Sequence, residues 1–269
     1  MVYHISQPSI QLSKFIKHYW TLENCMPDGN AHIQRIVPSG LMELIFYFHD
    51  RPESTDRNRS MNENTLITGQ LSEYYDIKVS GRISLFSIIF QPHGLAAFLE
   101  IPLQELVDQH VPLQCIFKKD VHEVESRLCE AKTFEDRIAI VENYFYRLLK
   151  NKEIKHNYER ISHSIGKINQ SKGMVDIDAL AGEACYSRKQ FERNFSYLVG
   201  TTPKQFLRVV RFQHAIAIKS NDNAVNLTDL TYQCGYYDQA HMINDFQKLS
   251  GMTPRQFFSD STPYSDYFQ

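Results

Sequence analysis

The side chains best suited to chemistry are polar or small residues at helical spacing in the last third of the chain. Arginine can donate two hydrogen bonds to guanine, glutamine or asparagine can pair with adenine, and alanine or isoleucine can contact the methyl group of thymine. Two sets of residues have this character: Lys189, Glu192 and Arg193, then Gln239, Ala240, Ile243 and Asn244. They suit contacts with base edges in a DNA major groove. The alternative is that they are merely solvated on the outer face of a helix.

Both sets lie in copies of one sequence pattern. The repeated positions are Leu180, Phe195, Gly200, Pro203 and Phe206 in the first copy and Leu230, Phe246, Gly251, Pro254 and Phe257 in the second. The residues predicted to face inward are Phe191, Phe195 and Leu198 in one copy and Met242, Phe246 and Leu249 in the other. The inward residues are alike and the outward residues differ, which indicates one scaffold that carries two different faces.

Capping signals predict the helices that position these residues. Ser187 and Gln190 form a capping-box pattern, and Gly200 can take the left-handed conformation that ends a helix. Thr202 and Pro203 then predict a new helix start. The predicted helices are 177–185, 187–199, 203–220, 227–234 and 238–250. Each copy is therefore a short helix, a tight turn and a second helix, which is a helix-turn-helix.

The predicted helix 203–220 connects the two copies. At 1.5 Å per residue it is roughly 27 Å long, and one turn of DNA is about 34 Å. A connector of this length could place the two second helices in successive major grooves. Arg208, Arg211 and Lys219 on or near it could contact phosphates, or could be solvated cations.

The amino-terminal part has a different character. Segments rich in Ile, Val, Tyr and Phe alternate with turn residues and predict strands at 33–37, 41–48, 66–69, 74–79 and 83–90. We expect an antiparallel, barrel-like sheet with flanking helices, one of them at 134–150. The polar stretch 50–64 predicts a mobile loop, and 151–157 predicts a linker. The fold class is thus α+β in two domains: residues 1–150, β-rich, and residues 158–260, all-α.

Composition narrows the class of protein. The formal charge of −2 gives no overall attraction to nucleic acid. No apolar run approaches the roughly 18 to 20 residues of a membrane span, and no secretion signal is recognisable, so we expect a cytoplasmic protein. Five scattered cysteines without C-x-x-C spacing predict reduced, mostly buried thiols rather than disulfides or a zinc site. No cofactor, metal or catalytic residue is predicted.

The carboxy-terminal pattern resembles the AraC/XylS family of bacterial transcription regulators over residues 159–258. The positions that carry the resemblance are Leu180, Ala181, Ser187, Phe191, Glu192, Arg193, Phe195, Gly200, Thr202, Pro203, Phe206, Arg211, Ala215, Cys234, Gly235, Tyr236, Asp238, Gln239, Phe246, Gly251, Thr253, Pro254 and Phe257. The resemblance implies base contacts from Lys189, Glu192, Arg193, Gln239, Ala240, Ile243 and Asn244. To these we add Ser187, Arg188 and Arg211 as predicted DNA-binding residues.

The chain departs from the family pattern in its second copy. Asn244 stands where the family commonly has an arginine, and Tyr237 and Asp238 occupy the turn. The second recognition helix is therefore expected to bind more weakly or to read a different base.

The amino-terminal half also resembles a sensor domain found in a branch of this family. The motifs are Ile36-Val37-Pro38-Ser39-Gly40, Glu43-Leu44-Ile45-Phe46, Ile67-Thr68-Gly69 and the run from Phe90 through Pro92 and Gly94, with Leu106 and Asp108. The resemblance implies a ligand-binding or dimerisation domain. Its ligand site is unknown from the sequence. Glu43 and Gly94 are weak candidates, and a salt bridge or a cap for Glu43 and a turn for Gly94 are the competing interpretations.

These observations predict a sequence-specific transcription regulator, most simply a ligand-responsive activator. Its expected partners are double-stranded DNA, a small-molecule effector, RNA polymerase for an activator, and a second copy in a homodimer. One alternative is a metal-dependent β-barrel enzyme fused to a helical binding module, suggested by the scattered His4, His18, His32, His49 and His93. Another is a helical module that binds protein, or DNA without sequence preference.

Overall fold

A computed structural model describes residues 2–26, 30–56, 61–117, 121–150 and 156–259. The strands are β1 (Val2–Ser6), β2 (Ile16–Cys25), β3 (Ala31–Ile36), β4 (Glu43–Tyr47), β5 (Glu53–Ser54), β6 (Thr65–Thr68), β7 (Tyr75–Ser80), β8 (Arg82–Phe90) and β9 (His110–Pro112). The helices are α1 (Leu113–Ile116), α2 (Val121–Glu130), α3 (Phe134–Leu149), α4 (His156–Gln170), α5 (Ile177–Glu183), α6 (Arg188–Val199), α7 (Pro203–Asn221), α8 (Leu227–Gln233), α9 (Gln239–Ser250) and α10 (Pro254–Ser259). Two short 3₁₀ turns span Gly94–Ala97 and Leu103–Leu106.

The described strands form two antiparallel sheets. The larger has the order β1-β2-β8-β4-β6-β9 and the smaller the order β3-β7-β5. Strands β4 and β8 lie in the middle of the larger sheet and are buried on both faces, which explains their continuous apolar sequences. The barrel-like closure expected from the sequence is not confirmed, because these strands belong to two separate sheets.

The carboxy-terminal helices begin and end where the capping residues predicted. The Ser187 hydroxyl accepts from the Gln190 amide, and the Gln190 side chain accepts from the Ser187 amide, so the capping box is complete. Thr202 and Gln205 repeat this arrangement at the start of α7. Gly200 ends α6 with a φ of 90°. These helix predictions are confirmed to within one or two residues.

Several elements were not predicted. Strands β1 and β2 were missed, as were β5, the short edge strand β9 and helix α4. The residues expected to form a linker lie mostly outside the described residues, and α4 already begins at His156. The expectation of mostly buried thiols is wrong: Cys25, Cys115, Cys129 and Cys185 are exposed and free, and only Cys234 is buried. Cys25 ends strand β2, Cys115 and Cys129 lie on helices, and Cys185 lies in a turn.

Apolar side chains from the two halves of the chain pack into common cores. The main core continues from the larger sheet, through residues such as Phe86 and Phe90, into α4 and the first helix-turn-helix, through residues such as Ile161 and Phe195. The second helix-turn-helix has a separate core, to which the amino-terminal part contributes Val37. The first helix-turn-helix is therefore integrated with the sheets much more extensively than the second.

Candidate DNA-binding surface

The first helix-turn-helix consists of α5 and α6. Cys185 in the turn has a φ of 53°, a left-handed conformation that is uncommon for a residue other than glycine. Phe191 and Phe195 on α6 are fully buried and Leu198 is nearly so, as the predicted inward stripe requires. The opposite face of α6 is thereby left toward solvent.

Two cations on the outer face of α6 are accessible. Lys189 and Arg193 are exposed, with no hydrogen bond or ion pair to other described residues. Glu192 is half-buried and accepts from Arg188 Nε at 2.7 Å, while Arg188 Nη1 lies 2.7 Å from Asp178. These two carboxylates raise the pKa of Arg188 further above its usual value. Arg188 and Glu192 would have to exchange existing partners to contact DNA, whereas Lys189 and Arg193 would not.

The second helix-turn-helix consists of α8 and α9. Gly235 takes the turn position equivalent to Cys185, with a φ of 69°. Asp238 caps α9 by accepting from the His241 amide at 2.7 Å, so this departure from the family pattern has a local structural role. The predicted inward stripe is confirmed, because Met242, Phe246 and Leu249 are buried.

The predicted reading face of α9 is less charged than that of α6. Gln239, Ala240 and Asn244 are exposed, and Ile243 is half-buried. The Gln239 amide donates to the Thr228 hydroxyl at 2.8 Å, which orients it from the first helix of the motif. This face offers amide and methyl groups, which suit A·T base pairs.

Helix α7 joins the two motifs, and the three cations expected to contact phosphates already have partners. It has 19 residues, which at 1.5 Å each gives about 28 Å. Arg208 donates from Nε to Asp245 Oδ1 at 2.7 Å. The Arg211 guanidinium carbon lies 5.4 Å from the Tyr236 ring centroid, and its Nη2 lies 3.9 Å from Asp245 Oδ2. Lys219 donates to the Val225 carbonyl at 2.8 Å.

These contacts compete with the phosphate roles expected on α7, and the DNA contact by Arg211 stays a prediction. The Arg211 side chain is only 18% exposed and that of Asp245 is 2% exposed, so both belong to the packing between α7 and α9. Sequence reasoning missed Asp245, which follows Asn244 directly and looks like another solvated polar residue. The signal that could have found it is the spacing of Arg208 and Arg211, which places two cations on one side of α7.

The carboxyl ends of both α6 and α9 contact the amino-terminal part. A Cβ on Gly200 would lie 2.8 Å from Met42 Cε, and a Cβ on Gly251 would lie 2.5 Å from the Tyr74 ring. Arg35 on β3 donates to the Ser250 carbonyl at 2.9 Å and forms a bidentate pair with Asp76 on β7. The sheets therefore hold both recognition helices at their far ends and leave the predicted reading faces free.

The two weak ligand candidates have structural partners. Glu43 accepts from Trp20 Nε1 at 3.0 Å and from the Ser87 hydroxyl, between β2, β4 and β8. A Cβ on Gly94 would lie 1.8 Å from the Phe15 carbonyl oxygen, so close backbone packing requires glycine there. Glu43 borders a small cavity of about 70 Å³. Within the part of the chain that the structure describes, no three His, Cys, Asp or Glu side chains are grouped to hold a metal ion.

Comparisons with known proteins match the two halves separately. Residues 180–260 match a family model described as "Helix-turn-helix domain". Over 86 residues the chain is 30% identical to the HTH-type transcriptional activator RhaR of Escherichia coli K12, a match that covers 32% of this chain and 30% of RhaR. The carboxy-terminal region therefore contains a helix-turn-helix domain. Residues 4–112 match "Domain of unknown function (DUF6597)".

Two solved structures resemble most of the chain at low identity. ToxT of Vibrio cholerae is 10% identical, with coverage of 90% of this chain and 98% of ToxT and a TM-score of 0.49. The AraC-like transcriptional activator CuxR is 14% identical, with coverage of 80% and 87% and a TM-score of 0.31. The predicted pair of helix-turn-helix units is confirmed by the helices α5 with α6 and α8 with α9, and the alternative of a metal-dependent enzyme receives no support. None of the described helices is long and apolar enough to cross a membrane.

Proposed function

We propose that this protein is a sequence-specific transcription regulator that places α6 and α9 in successive major grooves of one DNA site. The observation that carries the proposal is the pair of helix-turn-helix units joined by α7, each with its reading face open to solvent. Lys189 and Arg193 would contact bases or phosphates from the first unit. Gln239, Ala240, Ile243 and Asn244 would contact bases from the second.

The proposal assigns different roles to the two domains of the chain. Residues 1–150 would receive a small-molecule signal and residues 158–260 would bind DNA. We further propose activation of transcription through RNA polymerase, action as a homodimer, no catalytic activity of its own, and a location in the cytoplasm with the DNA. The relatives support this assignment, since RhaR is a transcriptional activator and one ToxT structure has an unsaturated fatty acid bound.

Competition binding tests the proposed function. A DNA fragment recovered by binding selection should be preferred over random DNA by 10³-fold or more, which is typical of specific regulators. That preference should persist between about 50 and 200 mM salt, because added salt weakens the phosphate contacts of specific and random binding alike. Equal affinity for both DNAs at either salt would show a module without sequence preference.

A further inference from the structure

A cavity lies between the two sheets of the amino-terminal part. Its volume is about 250 Å³, larger than the roughly 150 Å³ cavity that accommodates benzene in another protein. Trp20 on β2, Ile45 and Tyr47 on β4 and Leu85 on β8 form the floor. Side chains of β3 and β7 form the roof, including Ile77. The cavity belongs to the segment matched only to a domain of unknown function.

The lining is apolar and carries no formal charge. Among the described residues that border the cavity there is no Lys, Arg, Asp or Glu. Polar side chains lie at the partly exposed rim, where Asn24, His32 and Gln34 could hydrogen-bond one polar group of a ligand. Transfer of an unpaired carboxylate into such a site costs several kcal/mol, whereas an apolar ligand gains about 25 cal/mol for each Å² removed from water.

The neighbouring smaller cavity is bordered by a negatively charged side chain. Glu43 borders the smaller neighbouring cavity, and Ile36, Ile45, Tyr47 and Ile77 line both spaces. The Trp20 indole N–H, which could otherwise serve a ligand, donates to Glu43. Burial and the proximity of Glu43 raise the pKa of the Tyr47 hydroxyl well above its usual value. The surroundings therefore disfavour an anion even at the deep end of the cavity.

From this lining we infer that the cavity binds a neutral, predominantly apolar molecule larger than benzene, with one polar group at the rim. This inference deepens the proposed function. The assignment of the ligand as the regulatory signal rests on that function, whereas the binding of the ligand does not. The chemistry sets it apart from carboxylic acids, because the described lining residues include no Lys or Arg to pair with a carboxylate.

Strand β3 connects the cavity with the DNA-binding region. Its side chains alternate, so His32, Gln34 and Ile36 face the cavity while Arg35 between them reaches the Ser250 carbonyl at the end of α9. A ligand that displaces β3 would change the position of Arg35. Occupancy of the cavity is thereby linked to the second helix-turn-helix through a single strand.

Fluorescence titration of the full chain tests the ligand class directly. Trp20 is the only tryptophan in the chain, so its emission reports on the cavity. Octan-1-ol should give a saturable change, and octanoate, its anionic counterpart, should bind at least tenfold more weakly. No saturable change with octan-1-ol, or equal binding of octanoate, would overturn the inference.

Matched variants locate the binding. Val79→Phe places a ring on the cavity side of β7 and should abolish the octan-1-ol response. Ile33→Phe adds a ring to the outer face of β3, where Ile33 is 51% exposed, and should leave the response unchanged. Equal responses in both variants, with far-UV circular dichroism like that of the parent, would place the binding elsewhere.

A charge insertion provides a second test that does not depend on filling the cavity. Gln34→Lys adds a cation at the rim and should strengthen octanoate binding at least tenfold. Unchanged octanoate binding would contradict the assigned site. Because these titrations contain no DNA, their failure is distinct from a failure of DNA recognition, which the competition experiment measures.

Discussion

At the scale of single residues, Arg193 is the strongest candidate for a direct base contact. It is exposed on the outer face of α6 and has no ion pair with another described residue. We expect Arg193→Ala to cost about 1 to 3 kcal/mol of binding free energy and to relax specificity at one base-pair position. Titration against single-substitution variants of the site measures this. Arg127→Ala on α2 is the control, and unchanged base preference in Arg193→Ala would remove the assignment.

The buried Asp245 gives a second residue-scale prediction, on stability rather than on DNA affinity. Arg208→Met leaves the Asp245 carboxylate, 2% exposed, without its closest cation. Breaking a buried pair in this way typically costs about 3 to 5 kcal/mol. Replacement of both partners, Arg208→Met with Asp245→Leu, should recover part of that loss. Urea unfolding of the single and double variants measures the coupling, and strictly additive changes would contradict it.

Two buried histidines predict how stability responds to pH. Burial lowers the pKa of His93 to about 4, and burial together with Lys17 lowers the pKa of His18 to about 4. Because the unfolded value is about 6.5, the unfolded chain binds more protons between these limits. The stability that the neutral forms of His93 and His18 contribute is therefore present above about pH 6.5 and is lost as the pH falls toward 4.

Urea midpoints measured at pH 7 and pH 5 test this dependence. The midpoint should fall on acidification, and His93→Gln should reduce the fall. The His93 ring nitrogens have no hydrogen-bond partner within the described structure, so the variant breaks no existing bond. An identical fall in parent and variant would show that His93 takes no part.

At the scale of elements, the far end of α9 depends on β3. Arg35 donates to the last carbonyl of α9 and is held by Asp76, with its guanidinium carbon 4.2 Å from the Tyr74 ring centroid. We expect Arg35→Ala to loosen the second helix-turn-helix while leaving the first unchanged. Amide exchange should rise in α9 and α10. Arg82→Ala, on an exposed strand end, is the control, and equal exchange in α6 and α9 would contradict the expected asymmetry.

Elements set by local signals could be predicted, and those set by distant contacts could not. The bounds of helix α6 could be predicted from Ser187, Gln190 and Gly200, which lie in the helix or directly next to its ends. Strand β2 was missed because its apolar sequence is interrupted by Lys17 and His18, the second of which becomes buried only when β8 pairs with β2. The sequence marks the reading faces correctly as exposed. It does not reveal that Arg211 packs against Tyr236, since that requires α7 to meet the turn between α8 and α9.

At the scale of the whole molecule, the two DNA-binding units are held unequally. The first shares the main apolar core with the sheets, and the second has its own core joined through Val37. Polar contacts supplement that junction, such as Gln213 to the Pro38 carbonyl at 2.6 Å. Contacts of this kind are worth about 1 kcal/mol each, much less than a shared core. The second unit is therefore the one whose position a signal in the sheets could most readily change.

Selection of bound fragments from random DNA tests the central claim most directly. The account predicts two short motifs centred about 10 base pairs apart on one face of the DNA, as expected for helices in successive major grooves. The motifs should differ in sequence, because the outer faces of α6 and α9 differ, and Arg193→Ala should relax only one of them. Recovery of a single motif, or of no enriched sequence, would contradict recognition by two helix-turn-helix units.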